Sequence, residues 1–192
     1  CWVAIGEGGN VLVVAGDREA IVIDAKNAGF GNTLRREAEQ VSGKPVKTLI
    51  NTHHHGDHTG GNCSFTKDCT VMAHENALAR IASQGERLMG GAKGAAAQVG
   101  KSEKPAKDAV LKDIAALDGA GLTKDSWTPA NGLGDSEKLT IGGVAIELTR
   151  EDVQSGGYQI SLGSDISHPP ADGWDFDRLE ISSPGMDRVV KK

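Results

Sequence analysis

The segment Thr52-His53-His54-His55-Gly56-Asp57-His58-Thr59-Gly60-Gly61-Asn62 constrains this chain more than any other. It packs four imidazoles and one carboxylate into the six positions from His53 to His58. A packed core does not place so many titratable groups side by side, because each must be paired or desolvated. Imidazole and carboxylate are the ligands that borderline divalent metals such as zinc prefer. The pattern His-x-His-x-Asp-His therefore reads as a metal loop whose ligand candidates are His53, His55, Asp57 and His58. The bland alternative is a histidine-rich solvent loop. Position favours the metal loop. Val46 to Asn51 reads as a buried strand, and the histidines follow at its carboxyl end, where ligands gather in layered α/β folds. Gly56 permits a tight turn, and Gly60-Gly61 permit close backbone approach.

The flanking sequence supplies the layers. Val11 to Ala15 and Ala20 to Asp24 read as a hairpin around Gly16-Asp17. Asn32 suits a helix N-cap. Leu34, Ala38 and Val41 at i, i+4 and i+7 predict an amphipathic helix over 33–42, stopped by Gly43 and Pro45. Thr70 to Ala73 reads as a strand and Glu75 to Ser83 as a helix. Residues 84–106, rich in Gly and Lys, read as a mobile connection beside the site. A helix from Lys107 to Asp118 places Val110, Leu111, Ile114 and Leu117 on one face. Lys138 to Ile141 and Val144 to Thr149 form a hairpin over Gly142-Gly143. The result is an α/β sandwich. From Arg150 the pattern weakens: Tyr158 to Leu162 suits a strand, and the remainder reads as a loosely ordered tail.

Composition narrows the partners. A net charge of −5 argues against nucleic acid, which asks for a basic face. No apolar run approaches the roughly 20 residues of a membrane span. The compartment stays open, and the expected partner is a small-molecule substrate. Three cysteines make no disulfide framework. Cys63 and Cys69 either pair in an oxidising compartment or, as preferred here, remain half-buried thiols. Trp2-Val3-Ala4-Ile5 looks like the middle of a strand, so the first residue reads as a cut boundary. An acylated Cys1 is the alternative.

The run Ile50 to Asn62 closely resembles the signature of the metallo-β-lactamase superfamily. Gly8-Gly9-Asn10-Val11 with Ile21-Val22-Ile23-Asp24 resembles that family's opening hairpin. Val71-Met72-Ala73-His74-Glu75-Asn76 and Leu139-Thr140-Ile141-Gly142-Gly143 resemble later pieces. The resemblance implies an αββα sandwich forming a single domain over 1–192. Within it, 1–83 is the well-matched half, 84–124 a variable helical insertion, 125–149 a hairpin and 150–192 a divergent tail, so that the C-terminal half is incomplete or irregular. It also implies one or two metals, usually zinc, with iron or manganese as alternatives. By position, His53 and His55 would bind the first metal, and Asp57 and His58 the second. Asp24 would support the loop, His54 would point elsewhere, and His74 would be structural. Zinc-activated water would then attack an ester, lactam, thioester or related bond, with Asp57 as the catalytic carboxylate that orients the nucleophile and moves its proton.

The sequence departs from the family after Thr149. Relatives carry a third histidine there, then a bridging aspartate and a last histidine. Arg150 to Gly157 contains no histidine. Asp165 is the match for the bridging carboxylate, and His168, before Pro169-Pro170, is a weaker match for the last ligand. Truncation or a shifted frame, substitution by Glu151 or Asp152, and degeneration of the site are competing explanations. Two functions follow: a metal-dependent hydrolase, or a catalytically inactive or fragmentary metal-binding member acting as a binding module. An iron redox enzyme is a third, less supported reading, since nothing indicates a flavin domain.

Overall fold

Strand β2 (Val11–Ala15) is almost wholly buried because its sheet is covered on both faces. Side chains alternate across a strand, so Val11 and Val13 pack with Leu34 and Ala38 of helix α1 (Gly31–Ser42). Leu12 and Val14 face the other way, onto Ile146, Leu148, Tyr158, Ile160 and Leu162 of a second sheet. One continuous apolar run thus serves two cores, as expected for a sheet between layers. The structure is a computed structural model that describes residues 1–6, 8–99, 108–152, 157–163 and 179–181.

The first sheet has the order β1 (Trp2–Ala4), β2, β3 (Ala20–Ile23), β4 (Val46–Ile50), β5 (Thr70–His74), β6 (Asn131–Leu133). The first three strands pair antiparallel and β3 to β6 pair parallel. The second sheet is antiparallel, in the order β10 (Leu179–Ile181), β9 (Gly157–Gly163), β8 (Val144–Asp152), β7 (Ser136–Ile141). The expected α/β sandwich is therefore present. Its parallel portion matters for the site: four carboxyl ends share one edge. Asp24 follows β3, Thr52 and His53 follow β4, His74 ends β5, and Asp135 lies just past β6.

Helix α2 (Gly56–Thr59) is a single turn within the histidine loop, and helices α3 (Glu75–Ser83), α4 (Gly85–Val99) and α5 (Asp108–Asp118) close that edge with Trp127 of a 3-10 turn, Lys124–Trp127. The mobile connection expected over 84–106 is instead helical over Gly85–Val99. Leu88, Ala92 and Ala95 recur at i, i+4 and i+7 and are buried. The intervening glycines obscured that stripe, and Gly91 sits against Ala28, where a larger residue crowds the 28–30 turn. Helix α1 starts at Gly31 with Phe30 at the N-cap, so Asn32 does not cap it; its amide donates to the Asp113 carbonyl on α5 instead. Leu111 is exposed, leaving Ile114 and Leu117 as the buried residues of α5. Strand β8 continues past Arg150 to Asp152, and β9 realises the strand expected at Tyr158 to Leu162. In the expected tail, residues 179–181 pair with β9. Asp165 and His168 lie outside the described residues, as do the side chains of Glu151 and Asp152.

Cys63 and Cys69 are free. Cys63 belongs to the cluster beneath α3 and α4, while Cys69 donates to the Val46 carbonyl beside the other core. Burial pushes both thiols up to about 11, so neither is a ready nucleophile at neutral pH.

Candidate metal centre

Asp24 organises the site. It leaves β3 in the left-handed region, with φ 68°, which Asp tolerates better than most residues. Its side chain is 3% exposed yet fully engaged. Oδ1 accepts from the Thr52 backbone N–H at 2.8 Å; Oδ2 accepts from the Thr52 hydroxyl at 2.7 Å and lies 2.7 Å from His58 Nδ1. The carboxyl end of β3 thereby ties down the carboxyl end of β4.

These bonds assign two tautomers. The single hydroxyl proton of Thr52 goes to Asp24, so its oxygen faces His53 Nδ1, 2.9 Å away, as an acceptor. His53 Nδ1 carries the proton and Nε2 has the free lone pair. His58 Nδ1 donates to Asp24, which leaves its Nε2 free as well. The rings converge: His53 and His58 have centroids 4.2 Å apart, and His53 and His55 4.7 Å. Asp57 Oδ2 lies 3.4 Å from His58 Nε2. All four sequence-predicted loop residues are thus brought to one place. Asp24, His53 and His58 each offer a ligand atom within 4.8 Å of the others. Because the Asp24 oxygens already hold three hydrogen bonds, we read it as orienting the histidines rather than ligating. Two imidazoles whose Nδ1 atoms are committed to hydrogen bonds, leaving Nε2 for a ligand once deprotonated, beside the Asp57 carboxylate, are a donor set that fits a divalent metal.

Electrostatics separate the two histidines. Burial lowers His53 to about 4, reinforced by the neighbouring His58. Burial also acts to lower His58, but the hydrogen bond and charge of Asp24 outweigh it and the net shift is upward. In metal-free protein, a proton-detected imidazole nitrogen titration should find His53 still neutral at pH 5 and His58 protonated above its ordinary range. The stability signs are opposite. His53 is harder to protonate folded than unfolded, so its contribution is lost as pH falls from about 6.5 to 4. That of His58 is lost as pH rises through its raised value. Coincident titration of the two rings would contradict the arrangement.

Behind the loop lies a polar anchor that sequence reading missed. Asn51 and Asn62, both fully buried, exchange side-chain hydrogen bonds at 3.1 and 2.8 Å. Asn51 also reaches the His58 carbonyl and Asn62 the Trp127 carbonyl. Trp127 Nε1 donates to the Gly60 carbonyl at 2.6 Å. A Cβ at Gly60 or Gly61 would collide with the backbone of Ala28 or Ala25, so both glycines are steric requirements. The signal in the sequence was the pair of asparagines flanking the histidines. Trp127 gave none beyond being a lone indole before a strand.

His74 is fully buried, and both its nitrogens are engaged. Nδ1 accepts from the Asn76 N–H at the start of α3, so Nε2 donates to Asp135 Oδ1 at 3.0 Å. Asp135 also pairs with Arg150 at 2.8 Å. The Tyr158 ring packs edge-on to His74, and its backbone N–H donates to the Thr52 carbonyl, joining the second sheet to the metal loop.

The family model of the metallo-beta-lactamase superfamily matches residues 4–137. The native FEZ-1 metallo-beta-lactamase of Legionella gormanii superposes with a TM-score of 0.55 at 15% identity, covering 81% of this chain and 52% of that one. A Cronobacter sakazakii metallo-beta-lactamase with a HARLDQ motif gives 0.57 at 17%, covering 84% and 54%. The alpha subunit of a 2,4-dinitroanisole O-demethylase from Nocardioides sp. (strain JS1661) is 36% identical over 81 residues, 39% of this chain and 25% of that protein. The chain thus spans about half the length of those solved structures and a quarter of that relative.

Proposed function

The chain belongs to the metallo-beta-lactamase superfamily, and from that membership we propose that it is a metal-dependent hydrolase whose ion is zinc. The observation that carries the reading is the single carboxylate, Asp24, that sets both His53 and His58 with Nε2 free. His53 and His55 would hold one metal, and Asp57 and His58 a second. A bound zinc supplies Lewis acidity and brings the pKa of a coordinated water towards about 7. The chain's own residues do the rest. Thr52 and Asp24 hold the imidazoles in their ligating tautomers. Asp57, half-exposed beside His58, would orient the attacking water and take its proton. The Gly60-Gly61 backbone and the Asn51-Asn62 pair hold the loop in place.

Ester, lactam and thioester bonds are the substrates to assay first. The name of the Nocardioides relative adds the aryl methyl ether of 2,4-dinitroanisole. A second reading, a metal-binding module without turnover, has one observation in its favour. Of six histidines, four lie in the loop and His74 is engaged at both nitrogens. Outside the loop, the described residues therefore offer no further histidine to complete the first metal. Asp165 remains our proposal for a carboxylate that bridges two metals.

Plasma mass spectrometry and a hydrolase panel on purified protein separate these readings. About two zincs per chain with turnover is the expected result. One zinc or none, with no turnover rescued by added zinc, favours the module. His55→Ala should abolish turnover and leave the circular dichroism spectrum intact; unchanged turnover would assign the activity to a contaminant.

A further inference from the structure

Lys26 is the least expected buried group in this molecule. It is 5% exposed and sits in the left-handed region, with φ 67°, where a long side chain is uncommon. Its ammonium donates to the Ala4 carbonyl at 2.7 Å and the Gly9 carbonyl at 2.8 Å. Burying an ammonium is costly unless it is satisfied, so the geometry around it is strongly determined. The preceding residue joins the same structure: the Ala25 N–H donates to the His58 carbonyl at 2.7 Å.

The segment that Lys26 holds lies on the metal loop. The Gly9 N–H donates to the Asp57 carbonyl at 3.0 Å. A Cβ built on Gly9 would fall against Cε1 and Nε2 of His58, and one on Gly8 against the Asp57 carbonyl, both closer than real Cβ atoms come. The Gly8-Gly9 turn is therefore a wall against the His58 ring. Asp24 fixes Nδ1 of that ring, and the wall limits its rotation, so together they set where Nε2 points. We infer that Lys26 is a positioning residue of the metal centre, which acts by clamping the Gly8-Gly9 turn onto His58. The inference rests on the metal reading above and extends it to a residue outside the proposed ligand set.

Cobalt titration of the full chain tests it, followed by visible absorption and calorimetry, with melting of the metal-free protein measured in parallel. Lys26→Met keeps the stem and removes the donors. It should lose at least about tenfold in cobalt affinity, the loss typical when the groups that orient a metal ligand are removed, and its d–d bands should shift. Gly9→Ala keeps Lys26 and pushes a methyl into the ring, and should show the same two changes; it decides the matter if Lys26→Met does not fold. Wild-type affinity and bands in either folded variant, whatever its melting temperature, would overturn the clamp and leave the metal reading standing. A wild-type chain that binds no cobalt would overturn both.

Discussion

Asp24→Ala is expected to abolish metal binding and to destabilise the protein by about 3–5 kcal/mol, the range for removing one partner of a buried charge network. Three donors lose their acceptor at once: the Thr52 N–H, the Thr52 hydroxyl and His58 Nδ1. Each unsatisfied buried group costs about 1–3 kcal/mol. Alanine also tolerates the φ of 68° less well than aspartate. Asp24→Asn separates architecture from metal chemistry. The amide suits the same backbone and its oxygen can still accept from Thr52 N–H. Its NH2, however, faces His58 Nδ1, so the ring must accept there and carry its proton on Nε2, where the metal belongs. Asp24→Asn should therefore fold, lose about 1–3 kcal/mol in urea denaturation and still lose about 100-fold in zinc affinity. Wild-type zinc binding by Asp24→Asn would show that Asp24 does not set the tautomer.

Legibility in the sequence followed how local each feature is. The loop residues His53, His55, Asp57 and His58 could be read because one strand end delivers them all within six positions. Asp24 was legible only through the resemblance; its three hydrogen bonds to residues 28 and 34 positions away have no local signature. The strands of the first sheet were legible because their apolar runs end at turn residues. Helix α4 was not, since Gly90, Gly91 and Gly94 lower helix propensity while the stripe Leu88, Ala92, Ala95 gains its stability from packing. Lys26 and Trp127 went unread for one shared reason. Each acts through backbone carbonyls, of Ala4, Gly9 and Gly60, and a carbonyl is the same at every residue.

Trp127 carries the second large effect. The side chain is fully buried among Cys63, Ala73, Ala77, Ile81, Leu88, Ala92 and Leu117, which come from four elements and the metal-loop flank. Trp127→Ala should cost about 3–5 kcal/mol, as large-to-small core changes do when the surroundings relax only in part. Two hydrogen bonds make the effect local to the site as well. Trp127 Nε1 donates to the Gly60 carbonyl, and the Trp127 carbonyl accepts from Asn62. Trp127→Phe keeps most of the apolar contact and the carbonyl but leaves Gly60 unsatisfied, a loss of about 1–3 kcal/mol. If packing alone mattered, the two variants would lose zinc affinity in proportion to their loss of stability. Because the indole holds the loop at Gly60, only two residues beyond His58, Trp127→Phe should lose more zinc affinity per kcal/mol of unfolding free energy than Trp127→Ala. Paired urea and zinc titrations of the two variants measure that ratio, and equal ratios would reduce Trp127 to a core residue.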